Sequence, residues 1–170
     1  MRKDIMPTDQ YLERLMQEYG DSIFRMCYLY LKDCHLAEDA VQETFIKAMK
    51  SYDTFAHKSS EKTWLIRIAI NTCKNIMRNR WFQIIQNNLE DHIEKIGDNP
   101  IEEMLEKTSV SEAIMRLNAN DRQIILLYYY QNLSVREIAK IIGKSENTTI
   151  QRLNRARIRL KGNLVEVGYE

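Results

Sequence analysis

Apolar residues return at intervals of three and four along most of the chain, the rhythm of helices that each bury one stripe. Leu12, Leu15, Met16 and Tyr19 set the first run, which Thr8 or Asp9 can cap and Gly20-Asp21-Ser22 should end. A second run carries Ile23, Met26, Cys27, Tyr30 and Leu31 inward. The third, about Leu36 to Tyr52, places Val41, Phe45, Ala48 and Tyr52 on one side and Asp39, Gln42, Glu43 and Ile46 on the other. After a polar loop from Asp53 to Lys62, the fourth spans Thr63 to about Arg80. It turns Leu65, Ile68, Ala69, Thr72 and Ile76 inward, while Trp64, Arg67, Asn71, Lys74 and Arg78 line up outward. From Trp81 to about Ser109 the rhythm fails, and Gly97 and Pro100 mark a polar, acidic linker, with parts such as Ile101 to Lys107 able to form helix.

Beyond the linker Val110, Ile114 and Leu117 suggest one helix, and Asn120 with Gln123 reads as a capping pair for the next, which holds Ile124, Leu127 and Tyr128. Two short helices close the pattern. Ser134 and Glu137 have the spacing of a reciprocal cap, followed by Ile138, Ala139, Ile141 and Ile142. Gly143 supplies a left-handed position for a sharp turn, and Ser145 can cap the last helix. There Thr149, Leu153, Ala156 and Leu160 share a buried stripe, and Thr148, Gln151, Arg152, Arg155 and Arg159 recur on an exposed one. Amide, hydroxyl and guanidinium groups on such a stripe suit base edges and phosphates of a major groove. A solvated basic helix in an ordinary bundle is the plainer reading. Cap, glycine turn, buried stripe and basic stripe together favour the DNA reader.

Composition supports an all-α chain: of 170 residues only 5 are glycine and 2 proline, and 44% are hydrophobic. The net charge of +1 conceals segregation. Lys58, Lys62, Arg67, Lys74, Arg78 and Arg80 face only Glu61 in their stretch, whereas Glu90 to Glu106 is acidic and the last helix is basic again. Two basic patches divided by an acidic spacer imply two nucleic-acid contacts. Cys27, Cys34 and Cys73 lack CxxC spacing and read as reduced thiols. The run from Ile124 to Tyr130 is too short to span a bilayer. A soluble intracellular protein, with no membrane insertion, metal or other cofactor, is expected. The scattered His35, His57 and His92, with no phosphate-cradling glycine loop, give no material for a catalytic centre.

Two faces outside the last helix carry chemistry. An exposed tryptophan heading the basic and amide stripe Trp64, Arg67, Asn71, Lys74 and Arg78 fits unpaired bases, the indole stacking while the cations follow the backbone. Its rival is an indole tucked into the core. Asp39, Gln42 and Glu43 around Ile46 have the anatomy of a protein contact, a sticky aliphatic with a polar rim. From the residues alone, an ordinary solvated face is equally open.

These motifs together resemble the extracytoplasmic-function (ECF, group 4) sigma factors of bacterial RNA polymerase, over nearly the whole chain. The run DAVQETFIKA, Asp39 to Ala48, is similar to the family's region 2.2. TWLIRIAINTCKNIMR, Thr63 to Arg78, is similar to regions 2.3 and 2.4, and SVREIA with TTIQRLNRARIRLK to region 4.2. The resemblance implies two helical domains without an intervening region 3. A lead-in of 1–8 would precede region 2 over 9–82, and a linker over 83–108 would lead to region 4 over 109–165 and a tail of 166–170. It also implies roles. Asp39, Gln42, Glu43 and Ile46 would dock on the β′ clamp coiled coil of core RNA polymerase, and Val110 to Tyr130 would sit on the β flap. Trp64, Arg67 and Asn71, flanked by Lys58, Lys62, Lys74 and Arg78, would hold the melted −10 element, with the loop from Tyr52 to Lys62 capturing a flipped base. Thr148, Gln151, Asn154 and Arg155, with Arg152 and Arg159, would read the −35 duplex. An anti-sigma factor would occlude these faces.

The chain departs from the family where a Gly-Thr-Val-Lys/Arg-Ser run is common, carrying Asn147-Thr148-Thr149-Ile150-Gln151, and has Asn75 in place of a frequent aspartate. Promoter sequence is therefore not readable. Length gives an independent check. The two elements lie about two helical turns apart, ~70 Å, and Phe82 to Thr108 fully extended reaches roughly 90 Å. The alternative function is a helix-turn-helix regulator whose first half dimerises or senses a ligand, and such a half has no need of the Trp64, Arg67 and Asn71 stripe. The account expects two compact helical bodies with separate interiors, and it would fail if both were fused into one continuous hydrophobic interior that left the indole at position 64 entombed.

Overall fold

The computed structural model describes residues 8–87 and 108–169, which contain helices and turns and no strand. The expected lead-in before Thr8, and the linker with its Ile101 to Lys107 segment, lie outside the described residues. α1 runs Thr8–Leu31, α2 Cys34–Ser51, and a single 3-10 turn Tyr52–Thr54 precedes α3, Glu61–Asn87. These three form the first unit, with Leu15, Ile23, Met26, Phe45, Leu65 and Ile70 among its buried side chains. Each fully buried aliphatic of this kind stabilises by about 1.5–3 kcal/mol.

Three expectations give way here. The break at Gly20 to Ser22 does not occur, and α1 is continuous through it. Glycine inside a helix costs about 1 kcal/mol relative to alanine, less than the burial of Leu15, Ile23 and Met26 along one face returns. Met16, expected inward, is 49% exposed, whereas Tyr11 is buried. α3 does not stop near Arg80 but continues to Asn87, leaving Trp81, Phe82 and Ile85 on its surface. The stretch from Asn87 to Thr108 extended spans only about 70 Å, so the slack suggested by the sequence disappears, and the width of the two units must supply any remainder.

In the second unit α4 is Ser109–Met115 and α5 Ala119–Ile125, which runs on as a π-helical turn, Leu126–Tyr130. Asn118, not Asn120, caps α5: its Oδ1 accepts the Asp121 N–H at 3.0 Å while its amide donates to Asp121 Oδ2 at 2.7 Å. α6, Val135–Ile142, opens with the expected reciprocal cap of Ser134 and Glu137, and ends at Gly143 with φ of 65°. α7 is Glu146–Glu166, capped by Ser145, and buries Thr149, Leu153 and Ala156 as its periodicity requires.

The expectation of separate interiors is corrected. Buried side chains of both units form one connected cluster, α1 of the first lying against α4, α5 and the π turn of the second. The junction is partly polar. Arg122, 4% exposed, donates to the Tyr30 and Leu117 carbonyls, its guanidinium 5.7 Å from the Tyr30 ring. Burial pulls its pKa below the ordinary arginine value. Cys27, Cys34 and Cys73 are buried, and no disulfide joins them.

Candidate nucleic-acid interface

α3 owes its two-sided character to where it packs. Its inner face meets α1 and α2, burying Leu65, Ile66, Ala69, Ile70, Thr72 and Cys73. That leaves Arg67, Asn71, Lys74 and Arg78 exposed along the opposite side. The stripe predicted from spacing is present, with one amendment. Trp64 is half-buried rather than exposed: its indole stacks on Phe55 at 4.6 Å and 26°, and Phe55 in turn meets His57 at 4.5 Å. The indole is not entombed, and one face of an aromatic stack is a platform that a base can extend.

The loop before α3 is braced rather than free. Ser60 Oγ accepts the Thr63 N–H at 3.0 Å and so caps α3. Glu61 accepts from the Tyr11 hydroxyl and from Arg14, each at 2.8 Å, tying the start of α3 to α1. Burial pushes the Glu61 carboxyl up, but hydrogen bonds from Arg14 and Tyr11 outweigh it and hold the group below its ordinary range. The loop is also drawn toward α1 by Tyr52 against Tyr11, centroids 4.1 Å apart. Lys58 is exposed, whereas the Lys62 ammonium is turned to the Gln131 carbonyl at 2.8 Å.

On α7, Gln151, Asn154, Arg155 and Arg159 are exposed and Thr148 and Arg152 half-buried, so all six predicted readers lie on the outer side. Several are pre-positioned. Thr148 accepts from the Ser145 hydroxyl at 2.9 Å, and Asn154 accepts from Arg157 at 3.4 Å. Arg159 is paired with Asp121, a carboxylate 7% exposed at the head of α5. Arg152, Arg155 and Arg159 with Asn118 and Asn120 line an open cleft of about 360 Å³. Arg157, which the sequence did not single out, donates to the Tyr129 hydroxyl at 2.7 Å and lies over the rings of Tyr128 and Tyr129.

The third face is on α2. Asp39, Gln42, Glu43 and Ile46 are all exposed, with Ile46 at 48%. Glu43 pairs with Lys47, which also donates to Thr72 at 3.2 Å. Phe55, Glu61 and Asp121 were missed by sequence reasoning. The acid three residues past Asn118 was the available signal for Asp121, while nothing local marks Phe55 as the partner of Trp64.

The two units coincide with two known modules: residues 15–83 match the Sigma-70 region 2 model and 107–160 the Sigma-70 region 4 model. RNA polymerase sigma factor YlaC of Bacillus subtilis is 32% identical over 165 residues, covering 91% of this chain and 92% of that one. The chain belongs to the ECF group of the sigma-70 family. ECF RNA polymerase sigma factor BldN of Streptomyces coelicolor is 28% identical, over 78% of this chain and 52% of its own length. Among solved structures, the sigma factor RpoE of Bartonella quintana, crystallised with the anti-sigma factor NepR, aligns with a TM-score of 0.73 at 29% identity, covering 92% of this chain and 99% of that one. This ECF sigma factor therefore carries region 2 on α1 to α3 and region 4 on α4 to α7. No described helix is long and apolar enough to cross a membrane.

Proposed function

We propose that this sigma factor binds core RNA polymerase through α2, holds the −35 duplex with α7 and melts the −10 element against α3, leaving the chemistry to the polymerase. The observation that carries the reading is the concurrence of three exposed faces on the helices that the region 2 and region 4 matches require. Asp39, Gln42 and Glu43 surround Ile46, whose half-exposed side chain forgoes roughly 1 kcal/mol of burial. A partner such as the β′ clamp coiled coil would recover it. Trp64 on its Phe55 platform, followed by Arg67 and Asn71, supplies a stacking plane, a cation and an amide for unpaired bases. Gln151, Asn154 and Arg155 project from a helix that its cap and glycine turn orient as one rigid reader. The part of region 4 from Val110 to Tyr130 sits on the β flap. The likeness to a sigma factor solved with an anti-sigma factor supports a regulatory partner of that class.

A gel shift on promoter DNA with and without core enzyme tests this reading. A sigma factor of this kind shifts the duplex only as holoenzyme. A shift of equal strength by the chain alone would instead support a regulator that acts without polymerase.

A further inference from the structure

Among the described residues, Asp121 is the acid that lines the cleft between α5 and α7, where it meets Arg152, Arg155 and Arg159. Its side chain is buried and held from two directions. Asn118 accepts the Asp121 N–H at 3.0 Å and returns a bond from its own amide to Asp121 Oδ2 at 2.7 Å. The same Oδ2 accepts from the Arg159 guanidinium. Arg159 is therefore matched by a fixed carboxylate even though its side chain is 55% exposed. Of the three cleft arginines, it alone is ion-paired within the described residues. The pair is not what holds α7 in place. Thr149, Leu153 and Ala156 are buried beneath the helix, and Asn163 donates to the Ala113 carbonyl at 3.0 Å. Neutralising Asp121 thus changes what Arg159 contacts rather than how α7 packs.

We infer that Asp121 is a specificity-determining residue of the −35 reader: it withholds Arg159 from the DNA backbone, so that binding depends more on base edges and less on charge. The inference rests on the −35 role proposed above for α7. A cation that neutralises a phosphate strengthens binding to any duplex by releasing counterions, and it carries no sequence information. Arg155 and Arg159 stand about 6 Å apart along α7. An unpaired Arg159 would therefore extend the basic track by one contact. That contact does not count equally on every duplex. On its own site α7 is held in register by base contacts, and Arg159 meets whatever phosphate that register presents. On any other duplex the protein slides freely, and it settles where an added cation counts most. A carboxylate that keeps Arg159 occupied thus suppresses wrong sites more than the right one, which is how a difference of affinities becomes selectivity.

The test uses holoenzyme reconstituted from core polymerase and the full chain. Its ligands are two fragments of a promoter that this sigma factor transcribes, one intact and one with the −35 block scrambled. Filter binding over a salt series reads the affinity for each. Asp121→Asn keeps the shape of the side chain and removes its charge. It should bind the scrambled fragment several-fold more tightly, up to about eightfold at ~0.1 M salt, and steepen the slope of log affinity against log salt by about 0.9. The intact fragment should gain less, so selectivity falls. Asp121→Asn combined with Arg159→Gln should bring the slope back to its native value, because the freed cation is gone. Loss of affinity for both fragments alike is the mark of a merely structural carboxylate and would overturn the inference. So would an unchanged slope and selectivity in Asp121→Asn, or a slope that stays steep in the double variant. Failure of the underlying reading looks different: native holoenzyme that does not distinguish the two fragments counts against the −35 role of α7 itself, whereas native discrimination with no change in Asp121→Asn counts against Asp121 alone.

Discussion

Glu137 is the side chain whose removal should be felt at the most places. Its Oε2 accepts the Ser134 N–H at 2.9 Å and the Ser134 hydroxyl at 2.8 Å, while Oε1 accepts from Thr63 at 2.7 Å. In Glu137→Ala the reciprocal cap of α6 is lost, which costs about 1 kcal/mol. The bond to Thr63 is charge-assisted but only half-buried, so it adds about 1 kcal/mol rather than the upper end for a buried bond. A total near 2 kcal/mol corresponds to a fall in Tm of about 4–8 °C for a chain of this size. Glu137→Gln should lose about half as much, because an amide still completes the cap. The carboxyl is held below its ordinary range, first by the Ser134 backbone N–H and then by Thr63. A depressed carboxyl contributes its stability above the unfolded-state pKa and loses it as pH falls through the folded value. The advantage of the native chain over Glu137→Gln should thus be full at pH 7, begin to shrink below about pH 4.3, the ordinary glutamate value, and be lost only once pH has fallen through the depressed folded value. Urea unfolding followed by circular dichroism at pH 7 and at low pH reads both effects. Equal stability of the native chain and Glu137→Ala, or a gap to Glu137→Gln that widens in acid, would refute the reasoning.

Two further predictions concern DNA. Arg155→Ala should weaken −35-dependent transcription by roughly tenfold, in line with about 1–3 kcal/mol for a lost guanidinium contact, while affinity for core enzyme stays near native; equal loss of both would contradict the role assigned to α7. Asn71→Ala should impair open-complex formation more than closed-complex binding, read by permanganate reactivity of the −10 thymines, and unchanged reactivity would remove Asn71 from the melting face.

How far the sequence carried depended on whether a feature was local. The cap at Ser134 and Glu137, the turn at Gly143 and the stripes of α2 and α7 are each set by residues within one or two turns, and each is found as spaced. Gly20 misled because its cost is local while the burial that overrides it comes from helices packed on α1. The same holds for Trp64. Its exposure depends on Phe55, nine residues earlier across the loop, whose ring stacks on the indole. Asn120 lost the capping role to Asn118 through a shift of two residues, the usual scale of uncertainty at a helix end. The seam between the units was not legible at all. Arg122, Gln131 and Lys62 look like surface residues in a polar pattern, and only the tertiary arrangement buries the first two.

The central claim, that one chain supplies polymerase with two separate grips on a promoter, is tested most directly by reconstituted transcription. Purified core enzyme with this sigma factor, given a pool of genomic promoter fragments, should yield transcripts whose upstream sequences share two blocks about two helical turns apart. Arg155→Ala should erase the preference for the distal block and Asn71→Ala the use of the proximal one. Transcripts no more abundant than with core alone, or upstream sequences sharing a single block, would contradict the account.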